Sequence, residues 1–121
     1  MPDILHRLRV NAPAADVFRA ITDRGLLGAP SWTAIDMSVV DVEEGARITW
    51  RCIGGPAEWI GTDITFDLEP DDGSTVLRFG HRHWREANDA MAECATKWAG
   101  VLFNLKSWVE TPEPDDVMIG V

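Results

Sequence analysis

The chain of 121 residues contains no tyrosine, although it carries six tryptophans and four phenylalanines. Large apolar rings are therefore plentiful while phenolic donors are absent. Cysteine is scarce. Cys52 and Cys94 stand alone with no metal-ligand spacing, which fits a reducing compartment. Basic residues are few, 11 Lys and Arg against 20 Asp and Glu, for a net charge of −9. No basic stripe exists to neutralise phosphates, so nucleic acid is excluded as a partner, and an anionic membrane surface is disfavoured. No apolar run approaches the ~20 residues of a membrane span, and Ile4-Leu5-His6-Arg7-Leu8 does not open like a signal peptide. The expectation is a cytoplasmic protein.

What is present has clear periodicity. A chain of this length is one domain that needs neither disulfide nor metal to fold. Residues 4–10 alternate, with Ile4, His6, Leu8 and Val10 on one face, as in a half-buried strand. Asn11-Ala12-Pro13 opens a short helix with Asp16 in its first turn and Val17, Phe18 and Ile21 as its apolar stripe, stopping near Gly25. Four extended segments follow: Met37–Val42, Arg47–Ile53, Glu58–Glu69 and Val76–His83, joined by short turns. Their inward sets read Ile48, Trp50 and Cys52; Ile60, Thr62, Ile64, Phe66 and Leu68; and Leu77, Phe79 and His81. One-sided alternation predicts an antiparallel sheet with one wet face. From about Ala87 to Val109, Met91, Cys94, Ala95, Trp98, Val101, Leu102, Leu105 and Val109 recur at helical spacing. Such a helix is over 30 Å long at 1.5 Å per residue, enough to cross the sheet. A single sheet with one long helix to bury its dry face must curl around that helix. Residues 1–111 form this domain, and 112–121 read as an acidic tail.

Several separated stretches resemble a known group: Glu58-Trp59-Ile60-Gly61-Thr62, Phe79-Gly80-His81-Arg82-His83-Trp84-Arg85-Glu86, Cys94-Ala95-Thr96-Lys97-Trp98, and Asn104 to Thr111. Together they are similar to the START-like (SRPBCC) superfamily, in the branch of homologues of the heat-shock-protein-90 ATPase activator. The resemblance implies an α+β helix-grip fold whose space between sheet and helix takes apolar molecules. The branch usually has an early glycine-rich hairpin, and Gly25 to Trp32 leaves no room for it. The sheet is therefore expected to be shortened by about two strands, leaving Met37–Val42 as an open edge without Lys or Pro to blunt it. A homodimer is the expected remedy.

The functional expectation is non-covalent binding of a small hydrophobic or amphipathic ligand. Its lining would be Leu8, Trp50, Ile64, Phe66, Phe79, Met91, Trp98 and Leu102, with His6 and His81 as the orienting polar groups. His6 and His81 share inward parity on strands that are neighbours in this fold, and His83 would extend them to an H-x-H pair. Converging imidazoles suggest a metal, but no carboxylate has the matching parity, so no metal or other cofactor is expected. The competing readings are a cyclase or hydratase acting through His81 and a co-chaperone-type interaction domain. Trp59, Trp84 and Trp108 lie at element ends; if exposed, they would mark a protein interface. Cys52 and Cys94 read as small buried hydrophobes. No nucleophile elbow, phosphate loop or dinucleotide fingerprint occurs.

Overall fold

A computed structural model describes residues 3–24 and 36–110. Its elements are β1 (Ile4–Val10), α1 (Ala14–Arg24), β2 (Asp36–Glu43), β3 (Arg47–Gly54), β4 (Asp63–Asp71), β5 (Ser74–Arg82) and α2 (Asp89–Glu110). The five strands form one antiparallel sheet in the order β1-β5-β4-β3-β2. Strands β2 to β5 are a simple meander, and the first strand pairs with the last. The expected α+β helix-grip architecture is present. Residues 25–35, where the expected loss of the hairpin and the expected Gly25 helix stop fall, lie outside the described residues, as does the tail from 111 onwards.

Helix α2 runs unbroken for 22 residues. Asn88 caps it: its Oδ1 accepts the Met91 N–H at 3.0 Å and its carbonyl accepts the Ala92 N–H. Cys94, Trp98, Leu102 and Leu105 are buried along one stripe, with Met91 half-buried at its start. The helix is tied to β1 and to the residue that follows it at three points. The His6 Nε2–H donates to the Ala95 carbonyl at 3.1 Å, Lys106 Nζ donates to the Arg9 carbonyl at 2.8 Å, and Glu110 accepts the Asn11 N–H at 2.6 Å.

The β4–β5 turn is a two-residue hairpin with Asp72 at φ 53° and Gly73 at φ 85°. Two positive φ values in succession give the twist that antiparallel strands require, which explains the Asp-Gly pair. Two other turns depart from the sequence expectation. Strand β4 begins at Asp63 rather than Glu58, because residues 57–61 form turns closed by Trp59 N–H to Pro56 O and Thr62 N–H to Trp59 O, both 2.9 Å. Gly61, at φ 89°, allows the second of these. The turn sends Trp59 inward at 5% exposure and leaves Ile60 at 46%, reversing the alternation expected there. From Thr62 onward the expected inward set holds.

Candidate functional site

The inner face of the sheet is organised in cross-strand rows. One row reads Ile4, His81, Ile64, Trp50 and Val39; the next reads His6, Phe79, Phe66, Ile48 and Val42. Exposure along the first is 3% at Ile4 and 0% at His81 and Ile64; Trp50 is half-buried and Val39 reaches 63%. Along the second it runs from a half-buried His6 through closed Phe79, Phe66 and Ile48 to 50% at Val42. The grip is thus sealed over β5 and β4 and open over β2.

The sealed part holds six of the expected lining residues: Ile64, Phe66, Phe79, His81, Trp98 and Leu102. The aromatic rings among them pack against one another. Phe79 lies 4.4 Å from Trp98 and 5.3 Å from Phe66 between centroids, and Phe66 meets Trp50 edge-on at 5.4 Å. Leu8, Trp50, Met91 and His6 stay half-buried around them.

His81 sits in a closed polar chain whose proton positions follow from chemistry. An indole N–H can only donate, so Trp98 Nε1 donates to His81 Nδ1 at 3.0 Å. The remaining proton is then on Nε2, which donates to Thr62 Oγ1 at 2.8 Å; Thr62 in turn donates to the Trp59 carbonyl at 2.5 Å. Every polar atom in the chain is satisfied only while the imidazole is neutral. Burial pushes the His81 pKa down to about 3. Neither ring nitrogen has a free lone pair, so the arrangement offers no general base without first breaking a bond. Cys94 Sγ lies 3.9 Å from Nδ1, and burial drives its pKa up to about 12, so it is a neutral thiol. Cys52 is also buried, with its pKa raised by the same cause.

His6 and His81 do lie on the inner face of adjacent strands, but diagonally: His6 is opposite Phe79 and His81 opposite Ile4. They share no partner, since His6 binds the Ala95 carbonyl. The expected H-x-H pair does not form. His83 has φ 74°, a left-handed backbone that inverts the alternation at the end of β5. Its ring turns outward to 3.7 Å from Asp63, and Trp84 turns inward onto His81 at 4.8 Å. Trp59 and Trp84 are therefore core residues at 5% and 1% exposure rather than interface candidates, and Trp108 is half-buried. Among the described residues no group of three His, Cys, Asp or Glu side chains could hold a metal. No helix among them is long and apolar enough to cross a membrane.

A cleft of about 470 Å³ that residue spacing does not foreshadow lies between α1 and the β2–β3 turn, lined by Ala15, Phe18, Arg19, Thr22, Glu44 and Gly45. It lies at the end of β2 where Val42 is the last inward side chain before the turn. Only the half-buried Phe18, on a stripe that a short helix shares with the core, could have hinted at it.

No family model and no curated protein matches the chain. Solved structures do. The Aha1 dimer from Colwellia psychrerythraea is 31% identical, with a TM-score of 0.79 over 91% of this chain and 97% of that one. A protein from Mesorhizobium loti, MLL2253, has a TM-score of 0.79 at 16% identity, covering 93% of this chain and 99% of its own. CalU16 from Micromonospora echinospora has a TM-score of 0.73 at 17% identity, covering 97% and 80%. The last two share the fold alone. With the helix grip and the Colwellia relative together, the chain belongs to the START-like (SRPBCC) superfamily, in its Aha1-like branch.

Proposed function

We propose that the protein is a non-covalent binding module for a small apolar or amphipathic molecule, held at the open β2 end of the grip. The exposure gradient across the sheet carries this reading. An isolated surface valine needs no explanation, but Val39 and Val42 both face inward, beside a half-buried Trp50, on the concave side. The neighbouring cleft has the volume of a small-molecule site. Phe18 supplies an apolar wall, while Arg19, Thr22 and Glu44 supply the few polar groups that would orient a head group. In this reading Trp50 meets the ligand and the closed residues beneath it are a rigid floor. His81 belongs to that floor, which favours binding over turnover. Lauric acid and decanol, titrated against the native protein and followed by tryptophan fluorescence, test the reading. Saturable binding that Val42→Glu removes without unfolding supports it; no binding of either probe, and no mass adduct in native spectra of gently purified protein, sinks it.

A second observation favours self-association. Among the described residues β2 is an edge strand of the sheet, Val40 in it is 47% exposed, and its sequence carries no Lys or Pro. The Colwellia relative is described as a dimer. A symmetric pairing would cover the two β2 edges in a closed two-fold arrangement of subunits. Sedimentation at micromolar concentration should give twice the chain mass, and Val40→Lys should halve it. A wild-type species of one chain mass rules the pairing out.

A further inference from the structure

We propose that the molecule held in the α1 cleft is a cationic amphiphile, an apolar chain or ring that carries a protonated amine. This rests on the binding reading above and goes further by naming the head group.

Four of the lining residues form one stripe of α1. Ala15, Phe18, Arg19 and Thr22 follow the i, i+3, i+4, i+7 spacing of a single helix face, and Glu44 and Gly45 of the β2–β3 turn line the other side. Ala15 and Phe18 are the apolar part of the wall. Its polar part is Arg19, Thr22 and Glu44.

The two residues that could donate to a ligand are already committed. The Arg19 guanidinium is paired with Asp16, one turn earlier in α1, at 2.6 Å. The Thr22 hydroxyl donates back to the helix, to the carbonyls of Phe18 at 3.1 Å and Arg19 at 3.3 Å. Glu44 differs from both. Among the described residues it makes neither a hydrogen bond nor an ion pair, and a carboxylate at neutral pH accepts but cannot donate. The head group that fits beside it is therefore a donor.

The balance of charge points the same way. Arg19 and Asp16 cancel, so the wall is negative through Glu44, and Glu43 next to it in the chain adds to this. Arg47, the first cation after the turn, is bound to Asp41 at 3.0 Å. The net charge of −9 favours the approach of a cation from any side. A carboxylate ligand would have to displace Asp16 from Arg19 and would then lie in the same cleft as Glu44. An ammonium meets Glu44 with no partner to displace.

Decylamine, decanol and decanoate share one tail and differ only in the head. Titrated calorimetrically near pH 7 at low salt, each below its micelle concentration, they isolate the head group. Decylamine should bind saturably and at least ~10-fold more tightly than decanoate, with decanol between them. Glu44→Gln should reduce that ratio to below ~3-fold. Glu58→Gln removes the same charge from the turn at the opposite end of β3 and should leave the ratio unchanged. The assignment is overturned if wild type binds amine and carboxylate equally, if the preference survives Glu44→Gln, or if Glu58→Gln weakens it as much. Decanol binding with no preference for the amine would remove the head group and leave the cleft as a binding site; failure of all three probes would remove both.

Discussion

Replacing His81 with Gln should flatten the dependence of stability on mild acid. In the native chain the imidazole is neutral between Trp98 and Thr62, with a pKa held down to about 3 by burial. In the unfolded chain it returns to its ordinary 6.5. Between those values only the unfolded state binds the proton, so stability is greatest above pH 6.5 and falls as the pH drops toward 3. Going from pH 7.5 to 5.0, the unfolded state gains a factor of roughly 30, or about 2 kcal/mol. That is a large share of the ~5–15 kcal/mol typical of a domain. Glu110 acts in the same direction but lower. The Asn11 N–H and then Lys106 hold its carboxyl below the usual range, so its contribution is lost only below about pH 4.5. Gln can accept from Trp98 and donate to Thr62 without titrating. Urea unfolding of both proteins at the two pH values, followed by tryptophan fluorescence, gives a double difference in which every group common to the two proteins cancels. Wild type should lose about 2 kcal/mol more than His81→Gln. Equal losses in the two proteins would refute the buried neutral imidazole as the cause.

Other substitutions separate floor from rim. Trp98→Ala should cost ~3–5 kcal/mol, because it opens a cavity in the ring cluster and strands His81 Nδ1. Trp50→Ala, at the open end, should cost less than half as much by the same denaturation assay. Asn88→Ala removes the cap of α2 and should destabilise by ~1 kcal/mol. Gly100→Ala should stabilise by up to ~1 kcal/mol, since an added Cβ meets nothing within 4 Å there, and a lower melting temperature would contradict the exposed mid-helix placement.

Periodicity predicted correctly wherever the backbone stayed regular. The stripe of α2, the alternation of β1 and β5, and the placement of Trp98 follow from residue spacing because hydrogen-bonded ladders fix which way each side chain points. Misplaced residues cluster where φ turns positive. A strand rule carried through His83 places His83 in and Trp84 out, and the left-handed residue exchanges them. Gly61 does the same for Trp59 and Ile60. Neither change is visible in hydropathy, since all that differs is one torsion. The α1 cleft was hidden for another reason. It is a gap between a helix and a turn about 25 residues apart, and no local pattern encodes the distance at which two elements dock. The closed state of Phe66, Phe79 and Trp98 likewise depends on ring-to-ring fit, which an inward parity cannot distinguish from the wall of a cavity.

The sheet order has a kinetic consequence. Strands β2 to β5 can pair as successive hairpins, each closing a short loop, whereas β1 must wait for β5 some 70 residues later. The ties from α2 to Arg9, Asn11 and His6 likewise join opposite ends of the chain. On a ribosome the first strand emerges long before any of its partners, and its apolar face then has nothing of its own to cover it. The meander is expected to form early and the grip to close last, so substitutions in the β4–β5 hairpin should slow folding while those at the β1–α2 ties should chiefly speed unfolding. On this reasoning β1 and α2 act as a latch, and its release is expected to be the step that opens the core.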